Sequence, residues 1–283
     1  MKHLLVGCLL IMGCAPEPAP APADPETEVV EAVRAEQSSM TLSIREVSQE
    51  GWSGRLVVAS FTNGRDRHVR VLPSPRPLPL SEIVAGASPP EPFAAIDGGF
   101  YDTEGTPMGL VRAGGQDHHE VGERGGSGIL MVRDGRVSIV HRDAYEPGAN
   151  VSEALQSIDR LVNRGSSLVG QAASRRRAAR SAVAIDALGD LHLVVAFDER
   201  AVASESEALI QMSGDATRTG PTLSQMAELL VRSPEDGGVG AREALGLDGG
   251  LSTSMVVKSD ARALTILPYN ATINGLLVTV NAS

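Results

Sequence analysis

The sequence predicts an α+β fold: a mixed, largely antiparallel β-sheet core with a few helices, in a single domain. Short apolar alternations bounded by Gly, Pro and Asp recur from about residue 38 onward, as strands require. Only two segments carry a helical spacing, and no regular β-α-β alternation is present, which speaks against a doubly wound sheet. At 283 residues and 42% hydrophobic, the chain is sized for one such domain plus some non-globular sequence.

Met40-Leu42-Ile44, Leu56-Val58 and Val69-Val71 read as the first three strands, opening an antiparallel sheet. Between Ile129 and Val140, two alternating runs flank Asp134-Gly135, a pair that suits a tight hairpin. A second hairpin joins Ala182–Ile185 to Leu191–Phe197 around Leu188-Gly189-Asp190. One helix is expected over Ser152–Val162, with Leu155, Ile158, Leu161 and Val162 on one face and Ser152 as N-cap. The other is expected over Thr222–Arg232, where Thr222 and Gln225 have capping-box spacing and Pro234 stops the helix. No repeat period suggests a solenoid or propeller.

Before that domain, residues 1–14 combine Lys2 and His3 with an apolar run ending at Ile11-Met12-Gly13-Cys14. The run is too short to span a bilayer and reads as an export signal. Its end resembles a bacterial lipobox, which makes Cys14 the lipidation site and the chain an exported lipoprotein, membrane-anchored in the periplasm or at the cell surface. A plain cleaved signal with a secreted product is the other reading. Residues 15–37 form a Pro/Ala/Glu-rich tether with no apolar face to bury. Its six acidic residues stand against Arg34 alone, so −5 of the chain's −10 net charge lies in the tether. The domain, residues 38–283, is then only mildly acidic.

Composition excludes several function classes. A net charge of −10 offers no footprint for a phosphate backbone, so nucleic acid is not expected as a partner. Aromatics make up 3% of the chain, too few for a long stacking platform. Both cysteines, Cys8 and Cys14, lie in the signal, leaving the domain without a disulfide, a Cys-ligated zinc or a thiol nucleophile.

The chemistry concentrates in two Asp-Gly-Gly loops, Ile96-Asp97-Gly98-Gly99-Phe100-Tyr101 and Leu247-Asp248-Gly249-Gly250-Leu251-Ser252-Thr253. Each follows a short apolar segment, so each delivers a carboxylate at a strand end, followed by glycines that allow close approach to the backbone. Asp-Gly is also a favoured turn pair, and two ordinary turns remain the alternative. His118-His119-Glu120 lacks the spacing of a transition-metal site, since neighbours on a strand point to opposite faces. Asp97, Asp102 and Asp248 leave calcium open, but no cofactor is expected. Ser252 lacks the second glycine of a nucleophile elbow and a marked partner histidine.

Six motifs in order, over about residues 90 to 280, resemble the phosphodiester glycosidase family. They are Asp97-Gly98-Gly99-Phe100-Tyr101, Pro107-Met108-Gly109-Leu110, Arg180-Ser181-Ala182, Gly220-Pro221-Thr222-Leu223, Leu247-Asp248-Gly249-Gly250-Leu251-Ser252-Thr253 and Asn274-Gly275-Leu276-Leu277-Val278. The sequence departs from the family pattern in having Asp97 for an Asn, Leu251 for a third Gly, and no Arg near Asn270.

The resemblance implies a hydrolase that cleaves a sugar-1-phosphodiester between the anomeric carbon and the phosphodiester oxygen, with a glycan or sugar phosphate as partner. It implies that Asp248 activates water or stabilises the oxocarbenium-like transition state, with Asp97 as its partner or as a sugar-hydroxyl ligand. Arg180 is then the phosphate fork, because guanidinium pairs bidentately with phosphate oxygens. Ser252, Thr253 and the amides of Gly249 and Gly250 would add donors, and Gly98, Gly99, Phe100 and Asn274 complete the expected binding set. Arg175, Arg176 and Arg177 read as a solvated loop or as a positive rim for an anion. Two other functions fit the same loops: a non-catalytic lipoprotein binding an anionic cell-envelope glycan, or a factor in exopolysaccharide metabolism.

Overall fold

The computed structural model describes residues 39–170, 175–259 and 261–281. The signal, the Cys14 lipidation site and the tether therefore lie outside the described residues, as do four residues of the polar stretch before the arginine run. The strands are β1 (Met40–Gln49), β2 (Trp52–Phe61), β3 (Arg67–Leu78), β4 (Phe93–Asp97), β5 (Val111–Ala113), β6 (Gln116–His119), β7 (Gly128–Arg133), β8 (Arg136–His141), β9 (Val151–Ser157), β10 (Arg160–Asn163), β11 (Ser166–Ser167), β12 (Arg180–Asp186), β13 (Leu191–Phe197), β14 (Val202–Ser206), β15 (Leu209–Met212), β16 (Ala241–Gly246), β17 (Met255–Lys258), β18 (Ala263–Leu267) and β19 (Thr272–Val280). Among the described residues two α-helices interrupt them, α1 (Leu80–Ala87) and α2 (Leu223–Val231).

The described residues form three sheets. The first has the order β1-β2-β13-β12-β16-β10-β11, the second β14-β15-β18-β17-β4-β19-β3, and the third β6-β5-β9-β7-β8. Among the described residues all strand pairings are antiparallel except β15 with β18, so the largely antiparallel sheet expected from the sequence is present, in a mostly-β architecture. One face of the first sheet packs on one face of the second. Phe61, Val183 and Leu193 share a buried cluster with Ile96, Leu276 and Val278, which the third sheet joins through Leu130 and Leu155.

The outer faces are covered by the helices. Met226, Leu229 and Leu230 of α2 bury against Leu161, Ala182 and Val194 of the first sheet, each such side chain contributing about 1.5–3 kcal/mol. The expected capping box is formed: Thr222 Oγ1 accepts from the Gln225 amide at 3.2 Å, and Gln225 Oε1 accepts from the Thr222 amide at 3.0 Å. Leu80, Ile83 and Val84 of α1 cover Ala95 and Leu277 of the second sheet. This helix was not expected. Its N-cap is Pro79, with no side-chain capping bond to mark it.

The hairpins β7–β8 and β12–β13 form where the sequence places them. Two other expectations are corrected. β3 does not extend the β1–β2 sheet but pairs with β19 at the edge of the second sheet, a position that tolerates Pro73, Pro75 and Pro77 because an edge strand need not donate on both sides. The helix expected over Ser152–Val162 is instead β9 followed by β10. Here tertiary pairing overrides the local spacing. β9 is enclosed between β5 and β7, and its polar side chains work as clamps. Glu153 accepts from the amides of Val71 and Gly114, while Gln156 Oε1 accepts from Leu110 and Gly122 and its Nε2 donates to the carbonyls of Gly122 and Gly126.

Candidate active site

The two Asp-Gly-Gly loops meet at one end of the packed sheets. β4, flanked by β17 and β19, carries Asp97 into the interior, where it is 0% exposed. β16, in the first sheet, carries Leu247 and Asp248 past its end. Each loop holds the other: the Gly249 amide donates to Asp97 Oδ2 at 2.9 Å, and the Asp248 amide donates to the Gly98 carbonyl at 2.9 Å. Asp97 Oδ1 accepts from the Ser181 hydroxyl at 2.6 Å and the Ser254 amide at 2.9 Å. Burial pushes the Asp97 carboxyl up to about 6 against the pull of these three donors.

Glycine is required here by space and by backbone. A Cβ on Gly98 would lie 2.0 Å from Asn274 Oδ1, the atom that accepts the Gly99 amide at 2.7 Å. Gly249 has φ 62° and ψ −155°, a region essentially reserved for glycine. The expectation that Gly249 and Gly250 point their amides at an anion is corrected, because Gly249 spends its N–H on Asp97 and Gly250 donates to the Ala179 carbonyl at 2.8 Å.

Beside the loops opens a cavity of about 450 Å³. Asp248, Arg180, Ser252, Phe100, Gly249 and Gly250 line it, which brings together six residues singled out in the sequence. Asp97, Gly98, Gly99, Thr253 and Asn274 do not line it. They form the scaffold behind the wall, so Asp97 stands where it can brace the loop but not where it can take a sugar hydroxyl. Tyr101 lines the cavity with its hydroxyl donating to the Ala271 carbonyl at 2.9 Å, and Asn270 lines it as well.

The wall carries a carboxylate held above its usual range and a guanidinium held below its own. Burial pushes Asp248 up to about 7, the negative Asp97 behind it adds to the rise, and a hydrogen bond from Ser252 opposes it. Burial pulls Arg180 down to about 10, with Arg176 adding and Asp159 opposing. Arg180 is held at two nitrogens: Nε donates to the Pro221 carbonyl at 3.3 Å and Nη2 to the Arg176 carbonyl at 2.8 Å. Arg176 reaches the same cavity at its rim. Arg177 serves the fold, donating to the Gly220 carbonyl and to Gln225 Oε1.

Sequence reasoning missed Asp159. It lies between β9 and β10 and lines the cavity with Asp248 and Arg180. Burial raises its carboxyl above the usual range and Arg180 opposes the rise. The signal was present, because Ile158-Asp159 repeats the grammar of Ile96-Asp97 and Leu247-Asp248, an apolar residue at a strand end followed by Asp. His118 and His119 lie on β6, away from the cavity lining, and among the described residues no group of three or more His, Cys, Asp or Glu side chains is arranged to hold a metal ion.

A model of the phosphodiester glycosidase family matches residues 91–278, which spans both loops, β12 and the Asn274 strand. The chain belongs to the phosphodiester glycosidase family. Among solved structures it resembles the zebrafish N-acetylglucosamine-1-phosphodiester alpha-N-acetylglucosaminidase catalytic domain, a structure described as auto-inhibited by its pro-peptide. The TM-score is 0.59 at 16% identity, over 87% of this chain and 84% of that one. A hypothetical protein from Synechocystis is similar with a TM-score of 0.51 at 17% identity, over 86% of this chain and 62% of that one. Both likenesses are of fold. No curated protein matches by sequence.

Proposed function

We propose that this family member is an extracytoplasmic hydrolase that cleaves the glycosidic bond of a sugar-1-phosphodiester, releasing the sugar and a phosphate monoester. The observation that carries the reading is the shared wall: Asp248, pushed up to about 7, lines the same cavity as the Arg180 guanidinium. A phosphate monoester is an acidic leaving group and departs with the electron pair of the C1–O bond with little need of a protonating acid. One carboxylate and one phosphate-gripping cation then suffice.

In this reading Arg180, with Arg176 at the rim, receives the phosphodiester anion, and Phe100 and Tyr101 bound the sugar. The ionised Asp248 takes a proton from water as the water oxygen bonds to the anomeric carbon and the phosphate leaves. Ser252, whose hydroxyl donates to the Ala271 carbonyl at 3.3 Å, lines the cavity with Asp248 and opposes the rise of its carboxyl. Asp97 is a positioning residue that sets the loop and raises the basicity of Asp248. The lipobox-like end at Cys14 supports attachment to a membrane outside the cytoplasm.

A chromogenic sugar-1-phosphodiester assay with Asp248→Asn as control tests this reading. Turnover by the parent protein that falls at least about 100-fold in the variant supports the enzyme. Affinity for the diester without turnover assigns the loops to a glycan-binding lipoprotein instead, and equal turnover in both proteins removes Asp248 from the mechanism.

A further inference from the structure

The mechanism above leaves one cavity carboxylate without a task. Asp159 is built into the site: the Gly246 amide, at the end of the strand that carries Asp248, donates to the Asp159 carbonyl at 2.9 Å, and the Ser127 amide donates to the Ile158 carbonyl at 2.8 Å. Both acidic residues thus sit at the end of one strand, and Asp159 lines the cavity together with Arg180. The wall therefore sets two guanidinium groups, Arg176 and Arg180, against two carboxylates, Asp159 and Asp248.

A phosphodiester brings one negative charge to this wall. A phosphate monoester, with a second pKa near 6, brings close to two at pH 8. A leaving phosphate has little need of an acid, so the proposed mechanism gives a second carboxylate in the cavity of the phosphate-gripping arginine no step of bond cleavage, and leaves it the choice of which anion the arginine holds. Asp159 and Arg180 line one cavity, so an anion held by Arg180 there lies in the field of the Asp159 carboxylate.

We infer that Asp159 is a charge gate that lets the site hold a singly charged phosphodiester but disfavours a doubly charged phosphate monoester, so that the substrate class is admitted and the product expelled. The inference rests on the sugar-1-phosphodiester reading of the cavity. It gives Asp159 a specificity role, distinct from the water-activating role of Asp248.

The test is calorimetric affinity at pH 8 for methyl phosphate and for dimethyl phosphate, with the parent protein, Asp159→Asn and Asp159→Glu. Neutralising Asp159 is expected to tighten methyl phosphate about tenfold more than dimethyl phosphate, the order expected when one charge is removed near another at a partly desolvated site. Asp159→Glu, which keeps the charge, is expected to keep the parent's preference. An unchanged preference in Asp159→Asn overturns the gate, and so does a shift of equal size in Asp159→Glu. If dimethyl phosphate binds and the preference does not move, only the gate falls. If neither probe binds the parent protein, the phosphate reading of the cavity falls and the gate with it.

Discussion

The Asp97 carboxylate accepts a 2.9 Å hydrogen bond from the amide of Gly249, 152 positions further along the chain. Through it, the strand end of the second sheet fixes the loop that presents Asp248 from the first. The relation sets the two Asp-Gly-Gly loops apart, one turned inward to brace the other and one turned toward the cavity, although their sequences are alike.

Removing the inward carboxylate should therefore damage fold and site together. Asp97→Ala leaves the Ser181 hydroxyl and the amides of Gly249 and Ser254 without their acceptor in the interior, at a cost of about 3–5 kcal/mol. Asp97→Asn keeps one acceptor oxygen for Ser181 and Ser254 but turns an NH2 group toward the Gly249 amide, so it should cost less than the alanine variant. Urea unfolding of the two variants checks the order, and an alanine variant as stable as the parent protein would contradict it.

The pH–rate profile should carry an acid limb near 7, because Asp248 is pushed up to about 7 and, in the proposed mechanism, acts when ionised. Activity rises with pH through that limb. Neutralising Asp97 removes a like charge behind Asp248, so Asp97→Asn should move the limb to lower pH. A limb that stays in place in this variant would show that the two carboxylates do not interact.

Stability carries the opposite sign. Asp97 and Asp248 have folded values of about 6 and about 7 against an ordinary 3.8, so between roughly pH 4 and 7 the folded chain binds more protons than the unfolded chain. Their contribution is present at the acid end of this window and is lost as pH rises through it. The parent protein should therefore gain less stability with rising pH over that window than Asp248→Asn, in which one of these groups is absent. Thermal melting at pH 4.5 and 7 measures the difference, and identical profiles would contradict it.

Gly98→Ala places a methyl group 2.0 Å from Asn274 Oδ1 and so displaces the acceptor of the Gly99 amide. A loss of about 1–3 kcal/mol is expected, seen as a lower denaturant midpoint, with a larger fall in activity than an equally destabilising change on β1. Equal falls in the two would mean that the loop tolerates the shift.

Arg180→Lys should be far from conservative. The guanidinium is anchored through Nε and Nη2 to two carbonyls, and an ammonium cannot span both while also meeting a phosphate. A fall of about tenfold or more in kcat/KM is expected, and an unchanged value would remove Arg180 from substrate binding.

What the sequence made legible was local. Asp134-Gly135 marked its hairpin, and Thr222 with Gln225 marked the cap of α2, because each signal acts within a few residues. Asp248 and Arg180 were found through motifs, and the cavity brings them together. What failed depended on distant partners. The spacing of Leu155, Ile158 and Leu161 fits a helix, but pairing of that run between β5 and β7 and the clamps of Glu153 and Gln156 make it strands. That one misreading hid Asp159, since a residue inside an expected helix is not read as a carboxylate at a strand end. The inward and outward fates of Asp97 and Asp248 could not be told apart locally, because Ser181 and Ser254, which decide the matter, lie far along the chain from Asp97.

The bond that breaks is the central claim, and isotope transfer tests it directly. Hydrolysis of a sugar-1-(methyl phosphodiester) by the parent protein in ¹⁸O-labelled water should place the label on the anomeric hydroxyl of the released sugar and none on methyl phosphate. Label in the phosphate, which signifies attack at phosphorus, or the absence of any product release, would contradict the account.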